Sequence, residues 1–269
     1  MSIIDLIEKS INTCFARIPR TKPAITQVNN ARLIAHRGAH NKQFNCIENT
    51  DAAFARALKL GCWGIEFDVH ATADNILVVN HDPDLNRLWN KSYSINKLIF
   101  AQLRELAPEV PSLDEVISRY GKRMHLFIEL KAPFHAEEAL QTALQSLTVC
   151  EDYHLLTLDE SVFAALERFP RQSLLLVAEY KNVAEFCRLS LAKGYGGVLG
   201  HYLLFNNKKL NQLKVARQKT GLGFVDSKNS LYREINRGLP WLFTNNVDEV
   251  SGYLRDLRAF YTDLRDVPN

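Results

Sequence analysis

Residues 64–82 read Gly-Ile-Glu-Phe-Asp-Val-His-Ala-Thr-Ala-Asp-Asn-Ile-Leu-Val-Val-Asn-His-Asp, and the rest of the chain is read outward from them. Two β-prone runs, 65–69 and 76–79, flank the polar pair Asp74-Asn75, which is the pattern of a β-hairpin. Side chains alternate along a strand, so Glu66 and Asp68 share one face. A short loop centred on Asp74-Asn75 brings His81 opposite Asp68 or Glu66, and either pairing keeps it on the carboxylate face. Two carboxylates and an imidazole gathered on one patch are costly unless a cation lies between them or water solvates them.

Outward from the hairpin, short apolar runs alternate with helical patterns, the sign of repeated βα units and a parallel sheet. Strands are predicted at 33–37, 64–69, 124–130, 154–158, 174–178, 197–201, 222–226 and 241–244. With the hairpin partner 76–81 outside the count, that makes eight parallel strands. The fold class is therefore α/β, a (β/α)8 TIM barrel with a hairpin and a small insertion after the second barrel strand. Thr50 or Asn49 caps a helix running to Leu60, and Ser112 with Glu115 forms a capping box for another. Further helices are expected at 159–168, 182–192 and 206–219. A last helix carries the stripe Val250, Tyr253, Leu254, Leu257, Tyr261 and Leu264.

The chain divides into an N-terminal helix and linker, 1–30, and a barrel domain, 31–269, with the insertion at about 82–110 laid over the barrel mouth. Ile3, Ile4, Ile7, Ile11, Cys14, Phe15 and Ile18 form one apolar helical stripe, interrupted for a signal peptide by Asp5, Glu8 and Lys9. This helix is expected to cover the barrel bottom; membrane-surface association is the less favoured alternative. Pro19 to Asn30 is expected to be a linker.

With 269 residues, 46% hydrophobic and 23% charged, the chain has the size of one α/β barrel and the composition of a globular protein. The net charge of +3 suits an anionic small molecule, and the absence of dense Lys/Arg clusters argues against nucleic acid. Five cysteines (Cys14, Cys46, Cys62, Cys150, Cys187), odd in number and without CxxC spacing, point to reduced thiols and a cytoplasmic setting.

Active sites of such barrels lie at the C-terminal ends of the strands. The first three parallel strands end in His36-Arg37, Glu66-x-Asp68 and Glu129-x-Lys131, and the hairpin adds His81. Three carboxylates without thiols favour a hard cation, Mg2+ or Ca2+, over zinc. Two histidines suit acid and base work near neutral pH, and Arg37 and Lys131 offer fixed charge to a phosphate. Duller alternatives stand beside these: Glu129 and Lys131 as a mutual ion pair, Glu48 as an anchor for Arg37, and His70 as a rim residue. His40, His125, His135, His154 and His201 carry no spacing argument and are taken as structural or surface residues.

The chain resembles the glycerophosphodiester phosphodiesterase family from about Leu33 to Val247. The stretches that carry the resemblance are Ala35-His36-Arg37-Gly38, Glu48-Asn49-Thr50, Gly64 to Val69, Val78-Val79-Asn80-His81-Asp82, Val110 to Glu115 and Ile128-Glu129-Leu130-Lys131. It departs from the family at Ile47, at Asp74-Asn75, at Arg87-Leu88-Trp89 and at Gly223-Phe224-Val225-Asp226. The resemblance implies hydrolysis of glycerophosphodiesters to sn-glycerol 3-phosphate and an alcohol. It implies Glu66, Asp68 and Glu129 as ligands of a divalent metal, and His36 and His81 as the acid and base pair, without saying which is which. Arg37 and Lys131 would lie near the phosphate. A lysophospholipase D, with Trp89, Tyr93 and Phe100 making a greasier mouth, is one alternative. A non-catalytic barrel binding anionic lipid or a protein is the other.

Overall fold

The apolar runs that alternate with helical periodicity become, in a computed structural model describing residues 13–263, a closed ring of strands wrapped by helices. The strands are β1 (Arg32–His36), β2 (Gly64–Ala71), β3 (Leu77–Val79), β4 (His125–Leu130), β5 (Tyr153–Thr157), β6 (Leu174–Ala178), β7 (Gly197–His201), β8 (Lys219–Gly223) and β9 (Trp241–Thr244). All but β3 run parallel, in the order β1-β9-β8-β7-β6-β5-β4-β2, and the β1–β2 pairing closes the barrel. β3 pairs antiparallel with the outer end of β2 and stands outside the ring. Eight parallel strands with helices around them make this a (β/α)8 barrel.

Period-two alternation sorts the side chains into two cores. Outward-facing Ile65, Phe67, Leu126, Ile128, Leu155 and Leu176 pack beneath the helices. Inward-facing Ile34, Phe127, Leu156, Leu175, Leu199, Trp241 and Phe243 fill the interior. Thr50 and Ser112 cap the helices Asp51–Lys59 and Leu113–Tyr120, the latter through the expected box with Glu115. Among the described residues no helix is long and apolar enough to cross a membrane.

Several expectations are corrected. The hairpin register is odd: Val69 pairs with Val79 and His70 with Val78, so Asn80, not His81, lies level with Asp68. The loop holds three residues, not two or four, closed by Thr72 N–H donating to the Ile76 carbonyl at 3.0 Å, with Asn75 left-handed at φ +60°. β8 begins three residues earlier than the apolar run implied, at Lys219, and the chain leaves the sheet after Gly223. Residues 19–30 are not all linker, since Ile25–Asn30 is a helix whose Val28 is fully buried.

Only the end of the N-terminal helix lies within the described residues, at 13–17; Ile3, Ile4, Ile7 and Ile11 lie outside them, as does Leu264 of the last helix. That end does not sit on the barrel bottom. Asn229, in the first turn of the helix Lys228–Asn236 that follows β8, donates to the Ala16 carbonyl, and Asn236 in its last turn donates to that of Thr21. Phe15 meets the Tyr202 ring edge-on at 6.0 Å. Helices in this fold start at the mouth, so residues 15–21 descend the wall from the mouth side.

The insertion forms a satellite core of its own beside the hairpin, from Val78, Leu85, Ile95, Leu98, Leu103, Ala107 and Val110. Trp89 packs on it and donates to Asn80 Oδ1 rather than facing the mouth. The insertion reaches the site through Asp82 and Arg87.

Candidate active site

Strand register brings the functional groups together. His36 lies level with Glu66 across β1 and β2, and Asp68 level with Glu129 across β2 and β4. Glu66, Asp68 and Glu129 each offer a carboxylate oxygen, and these oxygens lie within 4.8 Å of one another. All three residues are buried.

Their charge is only partly matched. Lys131 Nζ bonds Asp68 Oδ1 at 2.7 Å and also Glu129 Oε1, so the i, i+2 pair is an ion pair as well as a neighbour of the site. Arg37 Nε lies 3.4 Å from Asp68 Oδ2, and its Nη1 donates to Glu48 Oε1 at 2.9 Å. Both cations are thus turned toward carboxylates. Burial, then repulsion from Asp68 and Glu129, holds Glu66 well above the usual carboxylate range. Burial and Asp68 push Glu129 up to about 7. Burial also opposes the charge on Asp68, but Lys131 and Arg37 override it and hold that group low. Three oxygen donors converging in a buried, under-compensated pocket, with no thiol or imidazole among them, fit a hard divalent cation.

The two histidines stand on different supports. His36 Nδ1 lies 2.7 Å from Asn245 Oδ1, its Nε2 lies 3.7 Å from Glu66 Oε2, and its ring packs on Phe224 at 4.4 Å between centroids. Burial, then the adjacent Arg37 charge, pushes His36 down to about 3, so its imidazole is neutral. His81 lies in the bend that follows β3, within reach of the Asp68 charge despite the odd register. Its Nδ1 lies 2.7 Å from Asp82 Oδ1, not bonded to the triad. Burial, with the charges of Lys131 and Arg37, holds His81 below the ordinary imidazole range, while Asp68 and the Asp82 hydrogen bond pull it back up. Asp82 in turn accepts from Arg87 Nε at 2.5 Å, and Arg87 Nη2 donates to Glu48 Oε1 at 2.7 Å.

Local backbone explains the placement. β1 ends at His36, and Arg37 (φ +55°) and Gly38 (φ +78°) are left-handed, which turns the Arg37 N–H onto Glu66 Oε2 at 3.1 Å. A Cβ on Gly38 would lie 2.8 Å from that of Ala53, so only glycine fits there. Asn49, also left-handed at φ +58°, donates from Nδ2 to Asp68 Oδ2 at 2.8 Å, while Thr50 is the cap.

Beside the triad a cavity of about 260 Å3 opens under β5 to β9. Its walls include Leu156, Val177, Leu199, Gly221, Gly223 and Phe224, with Glu179, Tyr180 and His201 toward the solvent end. β8 places glycine at successive inward positions, and a Cβ on Gly221 would lie 2.8 Å from the Phe243 ring and 2.9 Å from Leu199. Trp89, Tyr93 and Phe100 line no part of this cavity, so the apolar mouth is made by the late strands and not by the insertion.

Sequence reasoning missed Asn49, Asp82, Arg87 and Asn245. Asn49 and Asp82 were legible as neighbours within the quoted motifs, whereas Arg87 and Asn245 reach the site only through tertiary structure.

A barrel carrying a buried oxygen-donor triad between two supported histidines defines the class of barrel hydrolases that act with a divalent cation. The family model described as the glycerophosphoryl diester phosphodiesterase family matches residues 36–185. A glycerophosphodiester phosphodiesterase of Caldanaerobacter subterraneus is 36% identical over 245 residues, covering 83% of this chain and 97% of that protein. The human glycerophosphodiester phosphodiesterase 1 is 32% identical over 123 residues, covering 40% of this chain and 36% of that protein. Among solved structures, a glycerophosphodiester phosphodiesterase from Parabacteroides distasonis superposes with a TM-score of 0.70 at 22% identity, covering 84% of this chain and 98% of that one. A phosphodiesterase from Oleispira antarctica, solved with its product sn-glycerol-3-phosphate, gives 0.66 at 21% identity, covering 83% and 96%. The chain belongs to the glycerophosphoryl diester phosphodiesterase family.

Proposed function

We propose that this chain hydrolyses glycerophosphodiesters to sn-glycerol 3-phosphate and an alcohol. The observation that carries the reading is the Glu66–Asp68–Glu129 triad flanked by His36 and His81. A divalent cation held there, Mg2+ or Ca2+, would supply Lewis-acid stabilisation of the charge that builds on the phosphoryl oxygens. Arg37 and Lys131, paired with the carboxylates here, would share that charge with the substrate phosphate. His36, neutral and bonded at Nδ1, takes a proton from the attacking hydroxyl at Nε2. His81 delivers a proton to the departing alkoxide, the Asp82 carboxylate behind Nδ1 opposing the burial that disfavours its charged form.

Turnover of glycerophosphocholine and glycerophosphoethanolamine with Mg2+, with Ca2+ and with chelator tests the reading. Metal-dependent release of sn-glycerol 3-phosphate is expected; equal turnover in chelator would overturn the metal assignment.

A second substrate, a lysophospholipid, is favoured by the cavity beside the triad. Its deep wall offers few hydrogen-bonding groups, so a polyhydroxylated group seated there would bury hydroxyls unpaired. A hydrocarbon chain meets no such cost.

A further inference from the structure

We infer that Asn245 is a positioning residue that sets the tautomer of His36. This inference rests on the reading of His36 as the base. An amide oxygen can only accept a hydrogen bond, so the 2.7 Å contact from His36 Nδ1 to Asn245 Oδ1 places the imidazole proton on Nδ1. The Nε2 lone pair is then free on the side that faces Glu66 and the site. With the opposite tautomer, Nε2 would carry the proton toward the site and could accept nothing from a nucleophile.

Asn245 is itself held from behind. Asp226 Oδ1 accepts from the Asn245 N–H at 2.8 Å, from Thr244 Oγ1 at 2.8 Å and from the Asn246 N–H at 3.3 Å. Asp226 follows β8 and Asn245 follows β9, so two neighbouring strand ends fix the backbone from which the Asn245 side chain reaches the imidazole. Phe224, two residues before Asp226, packs against the ring at a tilt of 47°. Ring orientation and proton position are thereby set from the side of the barrel opposite the β4 carboxylate.

The partner is an amide where His81 has a carboxylate. An amide oxygen fixes the tautomer without offering a full negative charge to an imidazolium, whereas Asp82 does both. The difference in partner chemistry matches the difference in task.

The test uses the full chain as Asn245→Ala and Asn245→Asp. The Ala variant is expected to lose roughly 10–100-fold in kcat on glycerophosphocholine with KM held within about twofold, the cost typical of removing the hydrogen-bonded support of a functional histidine. Asp, also an acceptor, is expected to restore most of it. Nitrogen-15 NMR of histidine-labelled protein is expected to show His36 protonated at Nδ1 in the parent and in the Asp variant, and a tautomer mixture in the Ala variant. Parent kcat in Asn245→Ala, no recovery in Asn245→Asp, or a parent His36 protonated at Nε2 would each overturn the inference. The NMR measurement needs no turnover, so an error in the assigned substrate is distinguishable from an error about Asn245.

Discussion

His81 Nδ1 lies 2.7 Å from Asp82 Oδ1, and these adjacent residues form a dyad that the chain builds just beyond a strand end. The carboxylate is fixed from the other side by Arg87, which also holds Glu48. Replacing Asp82 with Asn keeps shape and removes the negative charge behind the imidazole. The Asp82→Asn variant should lose roughly 10²-fold or more in kcat on glycerophosphocholine, within the range typical of impaired acid catalysis. A p-nitrophenyl ester needs no proton on its leaving group and should be affected far less. An equal loss on both substrates would remove the acid role from His81.

Glu66 is held well above the ordinary carboxylate range by burial and by its two acidic neighbours. Neutralising it should therefore act in opposite directions on folding and on metal binding. Glu66→Gln is expected to match or exceed the parent's thermal stability in chelator, because the cost of burying an ionisable carboxyl beside two others is gone. Calorimetric titration with Mg2+ or Ca2+ should show affinity falling at least about tenfold, since a ligand carboxylate is lost. Parent-like affinity would take Glu66 out of the ligand set.

The cavity next to the triad makes a graded prediction. Each buried methylene contributes about 0.8 kcal/mol, close to a fourfold change in affinity. Across a series of lysophosphatidylcholines, KM should fall by up to about fourfold per added methylene and then level off when the cavity is filled. The Val177→Phe variant, which narrows the cavity, should reach that plateau at a shorter chain. A KM independent of chain length would limit the enzyme to deacylated substrates.

At the opposite end of the barrel, His125 Nδ1 donates to the Glu151 carbonyl at 2.8 Å, and His154 Nδ1 donates to His125 Nε2 at 2.8 Å. Burial pushes His125 down to about 4; burial, then the neighbouring His125, pushes His154 down to about 3. Unfolded, both titrate near 6.5. Between these values the unfolded chain binds more protons, so stability is full above about 6.5 and declines as pH falls toward 4. The limiting slope is about 1.4 kcal/mol per pH unit for each histidine. Denaturant titrations at about pH 7 and about pH 5 should show a smaller stability difference for His154→Leu than for the parent. An unchanged difference would mean that this pair is not the source of acid sensitivity.

The barrel and its metal-ligand candidates were legible because each rests on a local rule. Apolar runs bounded by turn residues mark strands, and the i, i+2 rule puts Glu66 with Asp68 whatever the tertiary structure does. The hairpin register was not legible. It depends on whether the loop holds two, three or four residues, and Thr72 settles that by spanning the loop with its own hydroxyl to Asp74 Oδ1 and the Ile76 backbone. β8 was misplaced because Phe224, on its apolar end, turns out of the sheet to wall the site while its polar start, Lys219-Thr220, enters the sheet. Asn245 carried no sequence signal, since 209 residues separate it from the imidazole it holds.

β3 and the turn that carries His81 lie outside the ring of strands, and beside them the insertion has its own small core. Barrel closure and completion of the site are therefore separable cooperative events, and they need not share a free energy. A fluctuation that undocks 77–110 would withdraw His81 while leaving β2, β4 and the carboxylates in place. Amide exchange should then be faster across β3 than in β4, with an intermediate species that retains the three carboxylates but has lost His81 from the site.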